Sequence, residues 1–191
     1  EQSEFLWLGF VQDLFELKLN GSYQELVFLS GNEWRTKQET FLRAVKTSNL
    51  WTLTDPEGTQ YEFNRSLSRN GIPFLWSLTA VQDPNGNRME VTYSESDGIL
   101  YLARIRYTLN SGIVRERSID FVLEARPDAT LRYPYGPAQK YTSRLSEIQM
   151  KVDGQVIQRF RFSYLVSSSG KTYVASVTRI GSDGSSMSLA Q

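Results

Sequence analysis

The chain has 191 residues, enough for one domain that buries its own core without a disulfide or a metal staple. Cys and His are both absent, which excludes thiol nucleophiles, His-based triads and Cys/His zinc sites. Formal net charge is zero, which gives no basis for nucleic-acid binding, and no apolar run approaches the roughly 20 residues of a spanning helix.

Charge is unevenly placed. Residues 1–95 carry 13 acidic and 8 basic groups, and residues 96–191 carry 8 acidic and 13 basic groups. The polar start Glu1-Gln2-Ser3-Glu4 has no secretory-signal pattern, and the chain is expected to be a piece of a longer protein. Ten Tyr, ten Phe and four Trp suit pleated, half-buried strands.

The predicted elements are short alternating runs separated by Gly, Asn, Asp and Pro. Phe15-Glu16-Leu17-Lys18-Leu19 alternates and breaks at Asn20-Gly21. Asn-Gly between two such runs predicts a two-residue hairpin, because both central residues of a type I′ turn need positive φ. The return strand is predicted over 25–29, followed by strands over 33–36 and 41–46. Trp51-Thr52-Leu53-Thr54 enters the turn Asp55-Pro56-Glu57-Gly58 and leaves through Thr59 to Phe63. Residues 76–81 enter Asp83-Pro84-Asn85-Gly86 and leave through 88–93. Pro at the second turn position presets φ, and Gly at the fourth suits the closing geometry. Further hairpins are predicted around Asn110-Ser111-Gly112 (100–109 with 113–123) and Asp153-Gly154 (144–152 with 155–165). Residues 173–180 form the last predicted strand. Residues 65–73 and 124–142 are expected to be loops, the second because it holds three Pro.

Two segments repeat one another. Each brings a Trp in (Trp51, Trp76), turns at D-P-x-G (Asp55 to Gly58, Asp83 to Gly86) and leaves through aromatics (Tyr61, Tyr93). A weaker echo ends at Gly181-Ser182-Asp183-Gly184. Recurrence of this kind marks stacked hairpins. Asp83-Pro84-Asn85-Gly86-Asn87, followed by Tyr93, Gly98, Leu102 and Ile105, resembles the YD repeat of RHS proteins. Trp51 to Phe63, Phe121 to Asp128, Arg144 to Ile148 and Val177 to Gly184 are similar to the N-terminal part of the B component of insecticidal toxin complexes and of related toxin-B-like virulence proteins. The likeness spans most of residues 10–184. It implies a secreted or cell-surface bacterial protein in which many strands wind into a hollow shell around a toxin cargo. Implied partners are neighbouring repeats, the enclosed toxin and other toxin-complex subunits. The chain departs from that pattern in having few, degenerate repeats and no recognisable toxin domain.

The residues that carry the repeat are Trp51, Asp55, Gly58, Tyr61, Trp76, Asp83, Asn85, Gly86, Asn87 and Tyr93, all expected to act structurally. Asp55 and Asp83 invite comparison with a protease dyad, in which two carboxyls share a proton, but turn chemistry accounts for both. Asp83, Asn85 and Asn87 place oxygens at alternate positions, as calcium loops do; the Gly and Glu an EF-hand needs are not at the required places. Arg104-Ile105-Arg106-Tyr107 and Arg159-Phe160-Arg161-Phe162 interleave basic and aromatic residues, but alternation sends the two kinds to opposite faces of a strand. Trp7, Trp34, Trp51 and Trp76 are expected in sheet packing rather than in sugar stacking. No Glu-x-Glu motif of an ADP-ribosyltransferase occurs.

The expectation is therefore a single all-β segment over 1–191, with N-terminal hairpins over 1–70 and YD-repeat-like hairpins over 71–191. Its consecutive antiparallel hairpins would form a curved RHS/YD-repeat-like sheet rather than a closed small barrel. No catalysis, cofactor, metal, nucleic-acid partner or membrane insertion is expected. A cell-surface module that recognises a glycan or a protein is the alternative function.

Overall fold

The computed structural model describes residues 4–7, 15–110, 112 and 115–190. The chain divides into two compact units, Glu1–Val91 and Thr92–Gln191. Both are built only of antiparallel strands among the described residues, and within each unit strands adjacent in sequence are adjacent in the sheet.

The first unit contains β1 (Glu4–Trp7), β2 (Phe15–Leu19), β3 (Ser22–Ser30), β4 (Glu33–Thr36), β5 (Arg43–Thr47), β6 (Leu50–Thr54), β7 (Gln60–Arg69) and β8 (Ile72–Gln82), with the start of β9 (Arg88–Ser96). Asn20 and Gly21 sit at φ 50° and 79°, the two positive values a type I′ turn requires. Alternation then does the sorting. β2 buries Phe15, Leu17 and Leu19 and turns Glu16 and Lys18 outward. β4 buries Trp34 and Thr36, and β6 buries Trp51 and Leu53. The apolar ones meet in one core with Leu26, Ala44, Phe63 and Trp76.

Aromatic rings dominate that core. The Phe15 ring lies 5.0 Å from Trp34, 4.7 Å from Trp51 and 6.0 Å from Trp76, each edge-on. Trp51 also lies edge-on to Trp34 and Trp76. Edge-to-face pairs set the positive ring edge against the negative face and add to the burial of large apolar surfaces.

The consecutive hairpins are as the sequence indicates, but one pairing is not. β1 pairs with β2 on one edge and with β8 on the other. Hydrogen bonding therefore runs from β1 through β8 and back to β1, a closed circuit of eight strands. β8 serves two partners on one edge: Leu75 to Ser77 face β1, and Ala80 to Gln82 face β9. β1 holds only four residues, too few to show an alternating period.

The second unit contains the rest of β9 with β10 (Ile99–Leu109), β11 (Arg117–Arg132), β12 (Gln139–Val152), β13 (Gln155–Val166), β14 (Thr172–Gly181) and β15 (Ser186–Ala190). β15 is an added strand, a short five-residue run after the last predicted one. The predicted start of a strand at residue 113 and the turn residue Ser111 fall outside the described residues.

Both expected loops are corrected. Residues 65–73 lie in β7 and β8, joined at Asn70-Gly71 with φ 51° and 79°. The polar run Arg65 to Arg69 hides its strand character because register shifts near Phe63 and Leu67 break the simple alternation. Most of 124–142 is strand as well. Between Ala125–Ser143 and Thr130–Tyr141, β11 carries four residues opposite one on β12. Pro127 sits in that bulge, where a missing N–H disturbs no ladder. Pro134 and Pro137 lie in the connection that follows.

Trp51 is fully buried at the centre of the aromatic core. Replacing it with Ala is expected to destabilise the first unit by about 3–5 kcal/mol, read as a lower urea midpoint followed by far-UV circular dichroism.

Candidate functional site

The D-P-x-G turns are built alike. In the first, Gly58 N–H donates to the Asp55 carbonyl at 3.0 Å, and Asp55 N–H donates to the Thr59 carbonyl at 3.0 Å. In the second, Gly86 donates to Asp83 and Asp83 donates to Asn87, both at 3.0 Å. This is a three-residue hairpin loop closed by a glycine at positive φ, with φ 85° at Gly58 and 82° at Gly86. Two further turns repeat it at Ser167–Lys171 and Gly181–Ser185. The first of these escaped the sequence reading because Ser replaces both Asp and Pro.

The Asp side chains complete the turns. Asp55 Oδ1 accepts from Thr59 N–H at 2.8 Å, and Oδ2 accepts from the Tyr61 hydroxyl at 3.1 Å. Burial and this carboxylate raise the Tyr61 phenol above its usual pKa. Asp83 Oδ1 accepts from the N–H groups of Asn85 and Asn87, both at 2.9 Å, and Oδ2 accepts from Asn87 Nδ2 at 2.7 Å. The Asn87 side chain, then its backbone N–H and that of Asn85, hold the Asp83 carboxyl below the usual range. Each carboxylate is occupied by its own turn, which is the arrangement that starts a hairpin rather than the shared-proton arrangement of a dyad. Among the described residues no group of three acidic side chains is placed to hold a metal.

Trp51 and Trp76 lie buried in the first unit's core, while Tyr93 is half-buried on β9. The Trp7 side chain lies outside what the structure describes. A groove of 520 Å³ opens at the end of the core near the β5–β6 and β7–β8 turns. Phe15 and Trp76 form its floor, and Ile72 and Pro73 one wall. Lys46, Ser48, Asn49, Ser66 and Ser68 supply its polar groups. Asn49 links floor to rim: its Oδ1 accepts from Trp76 Nε1 at 2.8 Å, and its Nδ2 donates to Ser66 Oγ at 3.1 Å.

In the second unit the two faces differ. Register places Ile105, Ile119 and Met150 in one row, and Phe121, Ile148 and Phe160 in the next. All six are half-buried. The opposite face holds a cross-strand ion ladder. Arg104 donates to both oxygens of Asp120 at 2.7 Å, and Lys151 Nζ joins at 2.8 Å. Arg144 pairs with Glu124, and Arg161 with Glu147. The interleaved Arg and aromatic residues are thus separated by the pleat, and Arg104 and Arg161 are engaged by carboxylates.

The β11 bulge adds a link that sequence spacing could not show. Asp128 accepts from Arg126, and also from the N–H and hydroxyl of Thr172 on β14 at 2.9 and 2.7 Å. The Arg126 guanidinium and both Thr172 donors hold the Asp128 carboxyl well below the usual carboxylate range. Arg144 also lies 3.9 Å over the Tyr164 ring, and the Tyr164 hydroxyl donates to the Leu145 carbonyl.

This ladder of antiparallel hairpins is a fold found in parts of bacterial toxin and virulence proteins. The N-terminal domain of the effector protein SpvB from Salmonella typhimurium strain LT2 matches with a TM-score of 0.73 at 13% identity, over 94% of this chain and 87% of that one. TcdB2-TccC3 matches with a TM-score of 0.68 at 14% identity, and a Photorhabdus luminescens Tc holotoxin pore with 0.67 at 14%. These last two alignments cover 99% and 98% of this chain but only 14% and 13% of the Tc chains. The likeness lies in the fold. No protein-family model and no curated protein sequence matches the chain.

Two expectations follow from the geometry. A Cβ at Gly58 would lie 3.2 Å from Pro84 Cγ, whereas one at Gly86 would meet open space. Both substitutions to Ala force a left-handed backbone, at about 1–2 kcal/mol. Gly58→Ala is expected to lower the thermal midpoint further than Gly86→Ala. The Asp120 pKa is lowered from 3.8 to about 2, chiefly by Arg104. A depressed carboxylate stabilises the fold above its unfolded pKa and loses that contribution as pH falls through the folded value. Stability of the second unit should therefore fall between about pH 4 and pH 2, and Asp120→Asn should flatten that part of a urea-midpoint profile.

Proposed function

We propose that the chain is a non-catalytic structural segment of a secreted, toxin-related RHS/YD-repeat shell that encloses or scaffolds a toxin cargo. The observation that carries this reading is one of coverage. The ladder fits, over 98–99% of its length, onto 13–14% of much longer Tc chains. A segment of that kind needs edges and faces that continue into neighbours.

The second unit has both. β15 pairs only with β14 among the described residues. An unpaired strand edge is a template for a further strand. The rows through Ile119 and Ile148 are only half-buried, so further strands or cargo packed on them would remove more apolar surface from water. The charged groups fit the same reading. Asp55, Asp83, Asp120 and Asp128 are all committed to turns, ladders or the bulge, which makes them parts of the wall. Neighbouring repeats, and other toxin-complex subunits, are the partners this reading implies.

Hydrogen exchange tests it, comparing this chain alone with the same residues inside a longer polypeptide that contains them. The β15 amides and the residues around Ile148 are expected to exchange quickly in the isolated chain at concentrations where it is monomeric. In the longer polypeptide they should be protected at least tenfold. Equal protection in both, with a monomeric isolated chain, would overturn the proposal.

A further inference from the structure

The groove in the first unit has hydrogen-bonding capacity that the fold does not use. Ser66 Oγ accepts from Asn49 Nδ2, which leaves its own proton free to donate. Ser48 and Ser68 also line the groove, and among the described residues neither hydroxyl has a protein partner. Lys46 Nζ makes one long bond, 3.3 Å to the Ser48 carbonyl, and lies 5.8–6.0 Å over the Trp76 and Trp51 rings. An ammonium has three donors, and among the described residues no carboxylate pairs with this one. None of the groove's described lining residues is acidic.

The set is thus rich in donors and carries one positive charge, so it favours a ligand rich in acceptors and negative at one point. The apolar parts narrow the class further. Ile72 and Pro73 form a rigid wall beside the buried Trp76, suited to the flat C–H face of a ring. A volume of 520 Å³ far exceeds a bare oxyanion and falls in the range of small-molecule sites. A peptide strand has no place there, because the middle of β8 is paired on both edges, with β7 and β1.

We infer that this groove binds a carboxylate-bearing sugar, such as the acidic end of a glycan. Lys46 takes the carboxylate, the three serine hydroxyls take ring hydroxyls, and the Ile72–Pro73 wall takes the ring face. The Trp76–Asn49–Ser66 chain of hydrogen bonds ties the rim to the aromatic core, so the site is preorganised. The inference is independent of the shell reading and can stand or fall without it.

The test is an NMR titration of the full 191-residue chain with N-acetylneuraminic acid, glucuronic acid, galactose and inorganic phosphate. The acidic sugars should give saturable shifts at the amides of Lys46, Ser48 and Ser66 and at the Trp76 indole N–H. Galactose should bind at least about tenfold more weakly, the factor one charged hydrogen bond supplies. Lys46→Gln should remove that preference, and Lys46→Arg should keep it. Because Lys46 lies over two core rings, Ser68→Trp serves as the second variant; it fills the exposed rim without touching the core and should abolish binding. Equal affinity for acidic and neutral sugars, shifts mapping elsewhere, or no saturable shift would overturn the proposal. Phosphate binding as tightly as the acidic sugars would overturn it too, by showing an anion site with no selection for a sugar.

Discussion

The constraint on which the structure rests is strand register, and register is set at the turns. A slip of one residue in any strand would send its buried set to the opposite face. The chain prevents this by closing its hairpins with residues that accept positive φ. Asn20-Gly21, Asn70-Gly71, Asp97-Gly98 and Asp153-Gly154 form two-residue turns with both φ values positive. The D-P-x-G turns and their two relatives close four more, after β6, β8, β13 and β14. From β6 to β8, loop lengths alternate between the two kinds, so each strand is pinned at both ends. Trp51 and Trp76 then arrive in the core because the turns beside them admit one register.

The two units use that order differently. In the first, closure through β1 turns the inward faces toward one space, and five aromatic side chains, Phe15, Trp34, Trp51, Phe63 and Trp76, fill it. Stability there comes from apolar burial and ring packing. In the second, Ile99 and Leu100 are the large apolar residues buried among those described. Its ladder is held in line by cross-strand charge pairs such as Arg104–Asp120–Lys151. Such pairs add little net energy when partly solvated. Their value lies in register, since a slipped strand would set like charges against one another.

Asp55, Asp83 and Asp128 each accept several hydrogen bonds from nearby backbone or side chains. What remains unspent is a half-buried apolar face in one unit and a donor-rich groove in the other. The first fits a wall that continues into neighbours; the second fits recognition of an acidic sugar. The fold shared with SpvB and Tc chains is compatible with both, because a sheet scaffold constrains its surface grooves only weakly.

The sequence by itself determined the strands and turns whose cause is local. Asn20-Gly21 and Asp55 to Gly58 were legible because turn conformation depends on a few adjacent residues. Phe15, Leu17 and Trp51 were legible as a buried set because alternation is a property of one strand. The Asp83 carboxylate was legible as a turn former for the same reason. Tertiary structure alone decided what depends on residues far apart in the chain. The β1–β8 pairing rests on three residues, Glu4 to Leu6, meeting an edge some 70 positions away. The bulge that accommodates Pro127 is anchored through Asp128 to Thr172, 44 positions on. The groove exists because Lys46, Ser66 and Trp76 come from three strands. Backbone hydrogen bonds between distant strands carry no sequence signature, since every residue offers nearly the same N–H and C=O.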